Sequence, residues 1–161
     1  MAPEAEDANT PNSLFNAHLR IARATKAIEP LLQFYRDGLG FRIIGSFNGH
    51  NGFDGVMLGH SSLPYHLEFT TQPGHDPGRA ASKENLLVFY LPDRKAWETA
   101  IARMERYNCE PIENVNPYWN DAKGKTYEDC DGYRVVLWNG GWKPFEGSLV
   151  HDQGVALIAH E

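Results

Sequence analysis

Cysteine is scarce in this 161-residue chain, which carries only Cys109 and Cys130. Two thiols make neither a disulfide framework nor a zinc-knuckle spacing, so both are expected to be reduced and structural. Long apolar runs are missing too. No stretch approaches the roughly 18 to 20 consecutive apolar residues that cross a bilayer, and the opening MAPEAEDANTPNS lacks the charged-then-apolar order of a secretory signal. The expectation is a cytosolic protein with no membrane partner. A Lys/Arg block is also absent, and the net charge of -6 is spread along the chain. A surface of that kind cannot neutralise a phosphate backbone, so nucleic acid is not an expected partner.

What is present is one domain's worth of apolar pattern: 42% of residues are hydrophobic, enough for a buried core. Residues 1–17, rich in Ala, Asn, Pro and acidic groups without period, read as a disordered tail. From His18, HLRIARA alternates as a strand, and TKAIEPLLQFYRDGLG follows as a helix. Ile28, Leu31, Leu32, Tyr35 and Leu39 make its stripe, Pro30 must lie in its first turn, and Gly38 and Gly40 are available to end it. FRIIGSF, GFDGVMLGH and PYHLEFT then read as three strands separated by turn signals.

After the aperiodic connector TQPGHDPGRAASKEN the pattern restarts. LLVFYL is a strand, and PDRKAWETAIARMERYN is a helix with Trp97, Ala100, Ile101, Met104 and Tyr107 as its stripe and Pro92 and Asp93 at its start. CEPIENV, KTYED and YRVVLWN follow as strands. The domain thus spans 18–142, with βαβββ units over 18–70 and 86–140 and a C-terminal extension over 143–161, whose VALIA segment would add a strand or cover a subunit contact. The fold class is α+β: two paired βαβββ units forming a cupped mixed sheet with helices outside. A ferredoxin-like domain also alternates strands and helices, but three strands after each helix argue against it.

FYRDGLGF at 34–41 and EDCDGYRVVLW at 128–138, set in this doubled order, resemble the vicinal oxygen chelate superfamily, which includes glyoxalase I, extradiol dioxygenases, fosfomycin-resistance enzymes and bleomycin-binding proteins. The resemblance covers about residues 18 to 140 and departs at Cys130, where the family usually has Pro. It implies a divalent metal held by one ligand from the first and one from the fourth strand of each unit. Here those positions fall on Arg20, on Glu68, at or beside Leu86, and on Val136. Only Glu68 can ligate; a guanidinium cannot, and two aliphatic side chains offer no donor. The expectation is therefore no metal cofactor, with a divalent metal as the alternative if a two-residue shift recruits His18 and His66 beside Glu68.

Arg20 and Glu68 are expected to lie together on the inner sheet face, as a plain ion pair or as an anion anchor beside a proton acceptor. Tyr118 and Trp119, in a loop with Asn116 and Asn120, either cap the sheet edge or grip a flat ligand. Arg134 and Trp138 flank Val136 on the same strand face and join the lining with His66. Two readings follow. One is a small-molecule-binding protein with a degenerate metal site that takes an anionic or aromatic metabolite. The other is an enzyme of the glyoxalase or dioxygenase type (lyase, isomerase or ring-forming), with Glu68 as catalytic base or metal ligand. The resemblance also implies a homodimer.

Overall fold

The structure, a computed structural model, describes residues 14–143 together with 150–151 and 154–155. Residues His18–Gly141 form one compact unit, and the two terminal segments form another. In the terminal segments, Leu14–Asn16 makes a single 3-10 turn, and strands Val150–His151 and Gly154–Val155 pair as a short antiparallel ribbon. The rest of the tail and of the VALIA segment lies outside the described residues.

The compact unit begins with β1 (Leu19–Ala24). Helix α1 (Ile28–Leu31) follows with Pro30 in its first turn and continues over Leu32–Gly38 as a wider coil, in which Leu39 N–H reaches back to the Phe34 carbonyl. Gly40, at φ +84, provides the left-handed exit. Gly38 serves a different need. A Cβ there would sit 2.8 Å from Met104 Sδ, so its bare backbone lets the two helices approach closely. Strands β2 (Arg42–His50), β3 (Phe53–Gly59) and β4 (Tyr65–Thr71) complete a four-stranded sheet in the order β1-β4-β3-β2, with β1 parallel to β4.

The second half repeats this plan with β5 (Leu86–Tyr90), α2 (Arg94–Arg106), β6 (Gly124–Glu128) and β7 (Arg134–Trp138). Asp93 caps α2 by accepting from Ala96 N–H at 2.6 Å. The sheet here is separate and three-stranded, β5-β7-β6. The strand expected at CEPIENV is reduced to one bridge between Ile112 and Thr126. Pro111 offers no N–H to a ladder, and Asn114 N–H is taken by the Asn120 side chain at 2.7 Å, so the segment bonds to its own loop instead. Tyr107 also departs from expectation. It lies just past the last helical residue, where the 3.6-residue period no longer applies, and is 38% exposed.

Both sheets turn one face into a single core. Val56, Leu58, Leu67 and Phe69 of the first sheet and Tyr127, Val135 and Leu137 of the second share it with Leu31, Tyr35, Trp97 and Met104 of the helices. Because side chains alternate along a strand, the intervening residues face the other way. These are Arg20 on β1, His66 and Glu68 on β4, and Arg134, Val136 and Trp138 on β7. The fold is α+β, with two mixed sheets built from βαβββ-like modules.

Candidate functional site

On the face of the first sheet turned away from the helices, the one expected to be inner, the ladder sets Arg20 opposite His66 and Ala22 opposite Glu68. Arg20 spans both acceptors: its Nε donates to His66 Nε2 at 2.9 Å, and its Nη1 lies 3.1 Å from Glu68 Oε2. His66 Nδ1 lies 2.6 Å from His18 Nε2. Since Nε2 of His66 accepts from a guanidinium, the neutral ring carries its proton on Nδ1 and donates to His18. Burial, then the charge of Arg20, holds the His66 pKa below the ordinary histidine value. The Glu68 side chain is 11% exposed while that of Arg20 is 50% exposed. A buried carboxylate therefore anchors a cation whose outer edge faces solvent.

A second cluster occupies the far end of β7. Tyr118 stacks on Trp138 with ring centroids 5.1 Å apart, and Trp119 meets both edge-on at 4.8 and 5.5 Å. Asn116 fixes the loop by accepting from Tyr118 N–H, and Asn114 and Asn120 bond each other. Tyr118 remains 56% exposed. Arg134 lies at the opposite end of β7 and is committed: its Nε donates to Glu128 at 2.9 Å and its Nη1 to the Glu113 carbonyl at 3.4 Å. The sequence-based expectations thus fall into three places. Arg20, His66 and Glu68 converge with His18, the three aromatics converge with one another, and buried Arg134 pairs with Glu128, which also meets Arg79 at 3.5 Å.

The donor set does not fit the metal that the superfamily resemblance implies. Arg20 stands where a ligand would be needed, and Leu86 and Val136 bring no donor atom from the second sheet. The shifted set fares no better, since both ring nitrogens of His66 already face His18 and Arg20. Among the described residues no group of three or more His, Cys, Asp or Glu is arranged to hold an ion.

Sequence reasoning missed one buried polar pair and one cavity. Tyr35 Oη donates to Asp129 Oδ2 at 2.7 Å, and burial raises the pKa of both groups. Each residue lies in one of the two motifs, but no pattern within either motif points to the other. The cavity, of about 240 Å³, opens between the halves on the helix side of the first sheet, lined by Phe41, Tyr65, Phe89 and Leu137 among others.

Comparison with known proteins agrees with this architecture. Residues 19–70 match the YycE-like N-terminal domain and residues 84–139 the YycE-like C-terminal domain. The chain is 39% identical over 123 residues to the uncharacterised protein YycE of Bacillus subtilis, covering 76% of this chain and 88% of that one. The crystal structure of that YycE superposes with a TM-score of 0.72 at 37% identity, over 81% of this chain and 94% of the other. More distant likenesses show the fold alone. Leishmania major glyoxalase I has a TM-score of 0.59 at 17% identity, over 76% of this chain and 86% of that one. TnmS3, an antibiotic binding protein from Streptomyces sp. CB03234, has a TM-score of 0.52 at 18% identity, over 76% and 93%. On the two matched domains and the relative that shares them, the chain belongs to the YycE-like family, and its fold matches that of the glyoxalase, fosfomycin-resistance and bleomycin-resistance proteins.

Proposed function

We propose that the protein binds an anionic or aromatic small molecule in the sheet cup, on the face turned away from the helices, without a catalytic metal. Arg20 is the anion anchor, and Tyr118, Trp119 and Trp138 are the flat contacts. The observation that carries this reading is Arg20 itself, held by Glu68 at 3.1 Å and by His66 at 2.9 Å with half of its side chain open to solvent. A guanidinium braced from behind loses little freedom on meeting a carboxylate or oxyanion. The antibiotic binding protein TnmS3 shares the fold, so a binding role suits the scaffold. His66 lines the same patch, whereas Arg134 is held by Glu128 and is left out of it.

The second reading is an enzyme in which Glu68 is a general base. Its place favours it, because the buried Glu68 carboxylate lies on the same sheet face as Arg20, where a ligand anchored by that guanidinium would meet it. Glu68→Gln separates the two: turnover lost with ligand affinity spared marks Glu68 as a base, whereas a loss of ligand affinity marks it as the brace of Arg20. Metal analysis of chain purified without chelators tests the shared premise. One tightly held Mn, Fe, Ni or Zn per chain, lost in Glu68→Gln, overturns it.

Two copies are proposed to pair in a cytosolic setting. Among the described residues no helix is long and apolar enough to cross a membrane. Edge strand β2 exposes Ile43 and Ile44 at 47% and 46%. A second copy would cover them. Sedimentation as a monomer at micromolar concentration removes this part.

A further inference from the structure

The geometry points to a second binding site, independent of the one above, in which the cavity between the halves takes a small aromatic molecule carrying one hydrogen-bond acceptor. The cavity measures about 240 Å³, and about 150 Å³ of apolar space suffices to hold benzene. A substituted ring therefore fits. Phe41 and Phe89 stand edge-on in its wall with centroids 5.8 Å apart, and Leu63 and Leu137 line it further.

Its polar groups are two donors. Tyr65 is half-buried, its hydroxyl makes no hydrogen bond to any described residue, and burial raises its pKa, which keeps the hydroxyl protonated. His60, an exposed residue of the lining, supplies the other. Ser62 N–H donates to His60 Nδ1 at 3.2 Å, and the Ser62 hydroxyl lies 2.6 Å from the same atom. A backbone N–H can only donate, so Nδ1 accepts and the neutral ring keeps its proton on Nε2. An apolar chamber with two donors in its lining selects an aromatic ring bearing a carbonyl or a similar acceptor over an all-hydrocarbon ring.

Alternation along β4 places Tyr65 on the core face, with Leu67 and Phe69, and His66 on the other. The sheet itself therefore separates this cavity from Arg20. A neutral probe avoids Arg20 altogether. Titration of the full chain with acetophenone and with toluene should give saturable one-to-one binding of both, acetophenone tighter. Tyr65→Phe should weaken acetophenone by about tenfold, the worth of one hydrogen bond, and leave toluene within about twofold. Leu63→Trp, which fills the chamber, should abolish both, with circular dichroism verifying the fold; if that variant does not fold, the Tyr65→Phe comparison decides. Arg20→Ala should change neither. Absence of saturable acetophenone binding, an unchanged acetophenone-to-toluene ratio in Tyr65→Phe, or loss of binding in Arg20→Ala overturns the assignment.

Discussion

Tyr35 donates its phenolic proton to Asp129 at 2.7 Å across 94 residues of chain, joining the helix of the first half to the turn that launches the last strand of the second. Asp129 Oδ1 meanwhile accepts from the backbone of Asp131 and Tyr133, which shapes that turn. Arg23 lies 3.3 Å from the same phenol and sits over the Tyr133 ring. The pair is thus where the two sequence motifs meet.

Tyr35→Phe should cost about 1 to 3 kcal/mol, because it strips a buried carboxylate of one partner without changing shape. Equilibrium denaturation measures it. Asp129 has its pKa raised by burial in the folded state, so between the ordinary carboxylate value and that raised value the folded chain holds a proton that the unfolded chain has released. The stability from this proton is full below the unfolded pKa and is lost as pH rises through the folded one. Asp129→Asn keeps the Oδ1 acceptor and removes the titration, so it should fare better relative to wild type at pH 7 than at pH 4. A pH-independent difference between the two chains contradicts this.

His66 should titrate below the ordinary histidine value, because burial and then the charge of Arg20 oppose its protonation. Its neutral form is worth most above the unfolded histidine pKa, and that contribution disappears as pH falls through the folded value. A protonated ring would set an N–H against the Arg20 N–H. Ring-proton NMR is the measurement, and Arg20→Gln should move the midpoint part of the way back up. A midpoint unmoved by that change would separate His66 from Arg20.

Gly38→Ala should destabilise by about 1 to 3 kcal/mol through overpacking against Met104. Helix propensity alone predicts the opposite sign, since Ala favours a helix over Gly by roughly 1 kcal/mol. A stabilised variant would mean that the helices yield at little cost. Thermal melts of the two chains decide between these.

The helix stripe through Leu31 and Tyr35, the cap at Asp93 and the alternation along PYHLEF are local, so periodicity was enough to place them and to put Arg20 and Glu68 on one sheet face. The shortfall at CEPIENV has a different origin. Its composition suits a strand, but the Asn114 backbone finds a side-chain partner in Asn120 that strand patterning does not register. At Gly38 the local pattern indicates a helix stop, and only a second helix, arriving from 66 residues later with Met104, shows what the missing Cβ is for.

Amino-acid order alone determined the two modules, their strand faces and the want of metal donors at three positions, because each depends on side-chain chemistry at a regular spacing. Tertiary structure decided that His66 bridges Arg20 and His18, that Arg134 is held by Glu128, that Tyr35 finds Asp129, and that an apolar chamber opens beside Tyr65. Those depend on which distant segments pack together. Rotamers and hydrogen bonds settle only once the shared core has brought the two halves into contact.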